Sequence, residues 1–403
     1  MAGRRTSSNR TLDVATRLVR LPSVGSRDLA EKAQEVARKG VDVLPLHPYP
    51  VRGLPEHVVE AARRAMIENH EPPSRGLPRL CQTIAEGVGA EIGRPLDPEA
   101  EVLITNGGMQ ALNVVFRTLL NPGDEVIIPS PCYFFQGCVR LAEGVPVHVP
   151  MAEGDGYAWD LDAIEAAITP RTKVLVLNTP VNPTGYVLSE EDVRTLGGLA
   201  LRHGLLVVTD ESYENLVYDG QKLASIAYLP DLAPNTILIR SFTKSYAMPG
   251  WRVGYIVAAQ TLVDAFTKAL EWEVLHCSTV SQAAAAAAMA GPQDWLSGVA
   301  QEFEDLRDHF LAGLGATAGL SCVKPAGGPF FFLNVQQLFP SSQAASEALL
   351  EVGIPTTPGW HCQSDSHVRL AFGARRETLE EVLLRLTEVV RGRLGSRGNT
   401  DRG

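Results

Sequence analysis

The chain contains no apolar run of the ~18–20 residues that a bilayer-spanning helix requires; its most apolar low-complexity stretch, residues 283–288, is a short alanine tract. Nothing in it therefore reads as a membrane span. Basic charge is also scarce, with 36 Lys and Arg against 46 Asp and Glu and a net charge of −10. A nucleic-acid partner would want a basic face, so the balance favours small-molecule substrates instead. The six cysteines form no C-x-x-C pair and no metal-ligand spacing, so no metal is expected. They read as free thiols of a reducing compartment. The first ten residues are basic and serine-rich, but no apolar signal core follows them. We read residues 1–25 as a partly disordered N-terminal arm and the location as cytoplasmic. No internal repeat is visible.

What is present is an ordinary globular composition, 45% hydrophobic and 20% charged over 403 residues. That length suffices for one large and one smaller domain, each with its own core. Short β-branched runs at 102–105, 125–129, 146–149, 173–177, 206–209, 236–239 and 253–257 alternate with helical patterns at 110–120, 134–143, 161–168 and 190–203. This alternation predicts an α/β fold: a large domain with a mostly parallel seven-stranded sheet flanked by helices. Ser189, just ahead of Glu190 and Asp192, is a fitting N-cap. After residue 257 the pattern turns helical to about 314. A smaller α/β unit follows, with strands at 328–334 and 367–372 and helices at 342–352 and 377–394. Segment 26–60 is expected to join the small domain, with 61–300 as the large domain, 301–394 as the C-terminal small domain and 395–403 as a disordered tail.

In an open α/β sheet, ligands bind at the carboxyl ends of the strands. The polar and glycine residues of this chain collect at those ends. Asn106-Gly107-Gly108 follows the first strand and Ser130-Pro131-Cys132-Tyr133 the second. Three later runs close with Asn178 to Gly185, with Asp210-Glu211, and with Ser241-Phe242-Thr243-Lys244.

The segments TNGGMQAL, NPTG, DESY, SFTKSYAMPGWRVGY and VRLAF occur in that order over residues 100–375. Together they resemble the class I/II aminotransferases, fold type I pyridoxal-phosphate enzymes. The resemblance implies an amino-acid aminotransferase that passes an amino group from an L-amino acid to a 2-oxo acid, with pyridoxal 5′-phosphate as cofactor and a homodimer as the working form. Lys244 would form the Schiff base and then act as general base at Cα, tasks that need a primary amine. Asp210, at the end of an apolar strand, would pair with the pyridine nitrogen, which keeps the ring an electron sink. Tyr213 and Asn182 would donate to the ring's 3′-oxygen. Gly107, Gly108 and Met109 would offer N–H groups and a helix dipole to the phosphate, with Ser241 and Arg252 completing the cup. Tyr133 would stack on the ring, and Phe134 competes for that place if the register slips by one. Arg369, together with Asn182, would take the substrate carboxylate.

The chain departs from the family in its N-terminal arm. Aligned on Pro55-Glu56-His57-Val58, Pro48 stands where relatives place a glycine whose N–H faces the substrate, and proline has no N–H. His70 or Glu71 replaces a tyrosine, and Met109 stands where some aspartate-specific relatives have lysine. These changes leave the cofactor residues alone and alter the substrate rim, where His47 and His70 are the groups to watch. They also keep open an oxidase, lyase or cyclase reaction on the same frame.

Overall fold

In the computed structural model, residues 14–19, 21, 23–315 and 317–400 are described. Residues 1–13 and 401–403, on which the disordered-end readings partly fall, lie outside them. Seven strands form the main sheet: β1 (Val102–Thr105), β2 (Glu125–Ser130), β3 (Val145–Pro150), β4 (Thr172–Asn178), β5 (Leu206–Asp210), β6 (Thr236–Ser241) and β7 (Gly254–Val257). Their order is β1-β7-β6-β5-β4-β2-β3. Only β7 runs antiparallel to its neighbours. The central strands are apolar on both faces because helices cover both. Helices Pro78–Ile92, Gly108–Leu119, Gln260–Val274 and Thr279–Ala290 contribute to the core that also holds Val102, Ile104, Val114, Phe116 and Ile256. Helices Leu161–Ala166 and Glu190–His203 bury Ile164, Val193, Leu196 and Leu199 in a second core with Leu175, Leu177 and Val207.

Local signals set the helix ends. Ser189 Oγ accepts from Asp192 N–H while the Asp192 carboxylate accepts from Ser189 N–H, and Gly204 closes the same helix in the left-handed region.

The second sheet is antiparallel, in the order β10-β11-β9-β8. Its members are β8 (Ser321–Cys322), β9 (Phe330–Asn334), β10 (Thr357–Pro358) and β11 (His367–Ala371). Helices Val299–Leu314, Ser342–Glu351 and Arg376–Thr400 surround it, with a core of Phe303, Phe310, Phe331, Phe372 and Leu379. The last helix continues to Thr400, past residue 394, where the sequence composition reads as the start of a disordered tail. Helix Gly25–Arg38 packs on β10 and on helix Ser342–Glu351, on the side of the second sheet. Helix Glu56–Glu68 instead packs against Thr279–Ala290 of the main body. Between them, Leu44 N–H donates to Gly353 O and His47 exchanges two backbone hydrogen bonds with Gly373. The arm is thereby pinned along the edge of the second sheet.

Candidate active site

The parallel register brings the chemistry to one level. Asn178 ends β4 directly beside Asp210, which ends β5, and Asp210 pairs with Ile239, two residues before Ser241 ends β6. Directly after β6 the chain turns into the one-turn helix Phe242–Ser245, which carries Lys244. At the carboxyl ends of these strands lies a cleft of about 190 Å³. Nine of the eleven site residues expected from the sequence line it: Gly108, Met109, Tyr133, Asn182, Asp210, Tyr213, Ser241, Lys244 and Arg252. Gly107 and Arg369 adjoin it through the contacts described below.

Lys244 Nζ lies 5.2 Å from the ring centre of Tyr49 and 5.7 Å from that of Tyr213. Burial is the main influence on its amine, and the positive charges of Arg369 and Arg252 act in the same direction. They outweigh Asp210 and pull its pKa down to about 7. At neutral pH a large share of the amine is therefore unprotonated and nucleophilic. Burial pushes the Asp210 carboxyl up, against hydrogen bonds from Ser212 N–H at 3.0 Å and Ser212 Oγ at 2.6 Å. Asp210 forms no ion pair among the described residues, so the desolvated carboxylate favours a cation in the cleft.

Asn182 links two partners. Its Nδ2 donates to Tyr213 Oη at 3.3 Å, and its Oδ1 accepts from Arg369 Nη1 at 2.8 Å. The Arg369 guanidinium lies 4.0 Å from the Tyr133 ring centre and 4.6 Å from that of Phe330, and its Nη2 donates to Thr357 Oγ1 at 3.2 Å. Two aromatic faces and two neutral acceptors hold it without neutralising it, which leaves its charge available to an anion. Tyr133 and Phe134 both line the cleft, their rings 3.9 Å apart. Phe134 has φ +76, a conformation costing a bulky residue about 1–3 kcal/mol. Phe134 stands at the N-cap of helix Phe135–Leu141.

At the other end, Gly107 takes φ +79 ahead of helix Gly108–Leu119. A Cβ there would sit 2.6 Å from Arg252 Nη2, so only glycine allows the guanidinium this close to the helix N-terminus. Arg252 Nη1 donates to Thr243 Oγ1 and to Pro249 O. Free N–H groups of the helix, Arg252, Ser241 and Thr243 form a cradle suited to a phosphate.

Below the cleft lies a charged layer. Arg240 bridges Glu211 and Glu91, and Ser245 Oγ, next to Lys244, donates to Glu214 Oε1 at 2.7 Å.

Besides the apolar Leu112 and Phe135, four residues at the cleft lie outside the set expected from sequence. Ser212 and Thr243 stand inside the motifs that carry Asp210 and Lys244, and Asn178 opens the loop that carries Asn182. Tyr49 had no local signal beyond its place in the divergent arm. His47 stacks obliquely on Tyr49 at 5.2 Å, and its ring pKa is lowered by burial. His70 is exposed, and its carbonyl accepts from Thr279.

This arrangement agrees with the comparison to known proteins. Residues 47–386 match the family described as aminotransferase class I and II. The chain belongs to that family. It is 34% identical to an aspartate aminotransferase of Geobacillus stearothermophilus, covering 95% of this chain and 100% of that one. It is 35% identical to a probable aspartate/prephenate aminotransferase of Thermus aquaticus, over 89% and 94% of the two chains. The solved aspartate aminotransferase of Thermus thermophilus with maleate superposes with a TM-score of 0.88 at 34% identity, over 94% of this chain and 99% of the other. The aminotransferase is thus an α/β enzyme whose main sheet and second sheet match the fold of solved members of its family. Among the described residues no helix is long and apolar enough to cross a membrane.

Proposed function

We propose that this aminotransferase uses pyridoxal 5′-phosphate, held covalently through the Lys244 ε-amino group, to move an amino group from an L-amino acid to a 2-oxo acid. The observation that carries the reading is the cleft itself. One space at the strand ends holds a primary amine with a pKa near 7, a desolvated carboxyl that forms no ion pair among the described residues, and an anion cradle. The donor set fits the cofactor: Asp210 suits a protonated ring nitrogen, and the Gly108 helix terminus, Ser241, Thr243 and Arg252 suit its phosphate. Tyr213 and Asn182 lie where they can donate to a ring oxygen, and Tyr133 offers a face for stacking.

When bound, the cofactor supplies an aldehyde that takes up the amino group and a ring that withdraws electrons from Cα. The chain's own residues do the rest. Arg369 binds the substrate carboxylate and, through Asn182, fixes it relative to Tyr213. The Lys244 amine, freed when substrate arrives, takes the Cα proton and would return a proton to the carbon that had been the cofactor's aldehyde carbon, two atoms along. Its depressed pKa lets it do both near neutral pH.

We further infer a homodimer in the cytoplasm. Met66 and Ile67 near the end of one helix, and Trp272 and Leu275 near the end of another, are exposed apolar side chains. Glu71 Oε1 lies 3.4 Å from His276 Nε2, which brings those helix ends together in a patch suited to a second copy. The unpaired cysteines fit a reducing compartment.

Borohydride reduction of the enzyme loaded with pyridoxal phosphate, followed by peptide mass spectrometry, tests the assignment. The cofactor mass is expected on the Lys244 peptide, and Lys244→Ala should lose both the label and the turnover. A label on another lysine would overturn it.

A further inference from the structure

We propose that the active site carries an apolar side-chain subsite, so that the enzyme prefers amino acids with uncharged aliphatic or aromatic side chains over acidic ones. The inference rests on the reading of the main cleft as the amino-acid site.

A second cavity, of about 130 Å³, adjoins the cleft, and the two share Met109, Tyr133 and Phe134 as walls. A molecule whose carboxylate lies on Arg369 can therefore send its side chain over the Tyr133–Phe134 wall into this chamber. Its far side is apolar, formed by Leu21 and Val24 of the N-terminal arm and by Leu141. The arm is seated closely here. Gly25 lies so near the His361 ring that a Cβ would come within 2.4 Å of it. Polar atoms are few, from Ser23, Asn113, Gln136 and His361, and among the described residues no Lys, Arg, Asp or Glu lines the space.

A carboxylate placed in this chamber would lose hydration and find no counter-charge among the described residues. Hydrocarbon gains there, about 4-fold in binding for each buried methylene. A cavity of roughly 150 Å³ with apolar walls is enough for a benzene ring, so the size suits a phenyl or branched aliphatic group. The other cavity that reaches Lys244 offers an acidic side chain nothing better. Asp294 and Glu304 line it, and among the described residues Lys244 is its only cation.

The test uses the cofactor-loaded enzyme in two arms. In the first, calorimetry compares the non-reacting acids 3-phenylpropanoate and succinate. In the second, single-turnover kinetics compare L-phenylalanine, L-leucine, L-alanine and L-aspartate. Expected are at least ~10-fold tighter binding of 3-phenylpropanoate and at least ~10-fold higher kcat/KM for phenylalanine and leucine than for aspartate. A Cβ at Gly137, on the chamber wall, meets nothing within 4 Å. Gly137→Leu should therefore fill the space, lowering kcat/KM for phenylalanine by ~10-fold or more while alanine stays within ~3-fold. Should that variant not fold, Asn113→Lys takes its place, with a gain for aspartate and a loss for phenylalanine expected. Succinate binding as tightly as 3-phenylpropanoate, as a cation from a second copy would cause, overturns the proposal. So does Gly137→Leu acting equally on phenylalanine and alanine. If no amino acid is converted, the aminotransferase-site reading fails, and the calorimetric preference still decides the subsite.

Discussion

Arg369, on β11 of the second sheet, donates to the side-chain carbonyl of Asn182, in the loop after β4 of the first, at 2.8 Å. The same amide donates to Tyr213, so one residue fixes the substrate-facing cation relative to the cofactor-facing phenol. A hydrogen bond to a charged group contributes about 1.5–3 kcal/mol. Asn182→Ala is therefore expected to lower kcat/KM by roughly 10- to 100-fold, in KM as well as kcat, as measured by steady-state kinetics. Unchanged KM for the amino acid would show that Arg369 holds its place without Asn182.

The Lys244 amine should titrate near pH 7 in cofactor-free protein. Acylation of Lys244 as a function of pH, followed by peptide mass spectrometry, measures this directly. Removing a neighbouring positive charge makes the ammonium easier to keep, so Arg369→Ala and Arg252→Ala should each move the midpoint upward. Asp210→Asn removes the one opposing charge and should move it further down. A midpoint near that of a free lysine would refute the electrostatic account.

Much of this was legible from the sequence because local chemistry and tertiary structure agree here. β1 and helix Glu190–His203 fall at the expected residues, the first as an apolar run, the second because Ser189 and Gly204 mark its ends. The motif residues meet because parallel strands all present their carboxyl ends on one side. What stayed hidden depends on how the second sheet docks. Tyr49 reaches Lys244 only because the arm bridges to Gly373, far along the chain. Phe330 and Thr357 hold Arg369 through strand pairings that no short pattern records. The two-residue strands β8 and β10 are too short to leave a periodic signal.

Gly107→Ala tests the cradle separately from the chemistry. The added methyl would stand 2.6 Å from the Arg252 guanidinium at a residue with φ +79, so Arg252 must move away. Losing one charge-assisted phosphate contact, at about 2–3 kcal/mol, should weaken cofactor affinity on the order of 100-fold. Fluorescence titration of the cofactor-free protein reads this, and circular dichroism should show the fold retained. Affinity within a few-fold of the parent would mean that the phosphate does not rest on this turn.

Glu214 supplies a pH test of the layer beneath Lys244. Burial pushes its carboxyl up to about 7, although Arg240 and the bond from Ser245 pull the other way. Its Oε2 is enclosed without a partner among the described residues. In the unfolded chain the group titrates near 4.5. Below that pH both states hold the proton and the group leaves stability unchanged. Between 4.5 and about 7 the unfolded state ionises while the folded state keeps its proton, so stability falls as pH rises, then levels off above 7. Glu214→Gln cannot ionise and keeps an acceptor for Ser245. It should melt close to the parent at pH 5 and higher than it at pH 8, by roughly 1–3 kcal/mol of added stability. Thermal unfolding at the two pH values decides the matter. Parallel profiles for parent and variant would show that the carboxyl is already ionised in the folded enzyme, and that Arg240 rather than burial governs its charge.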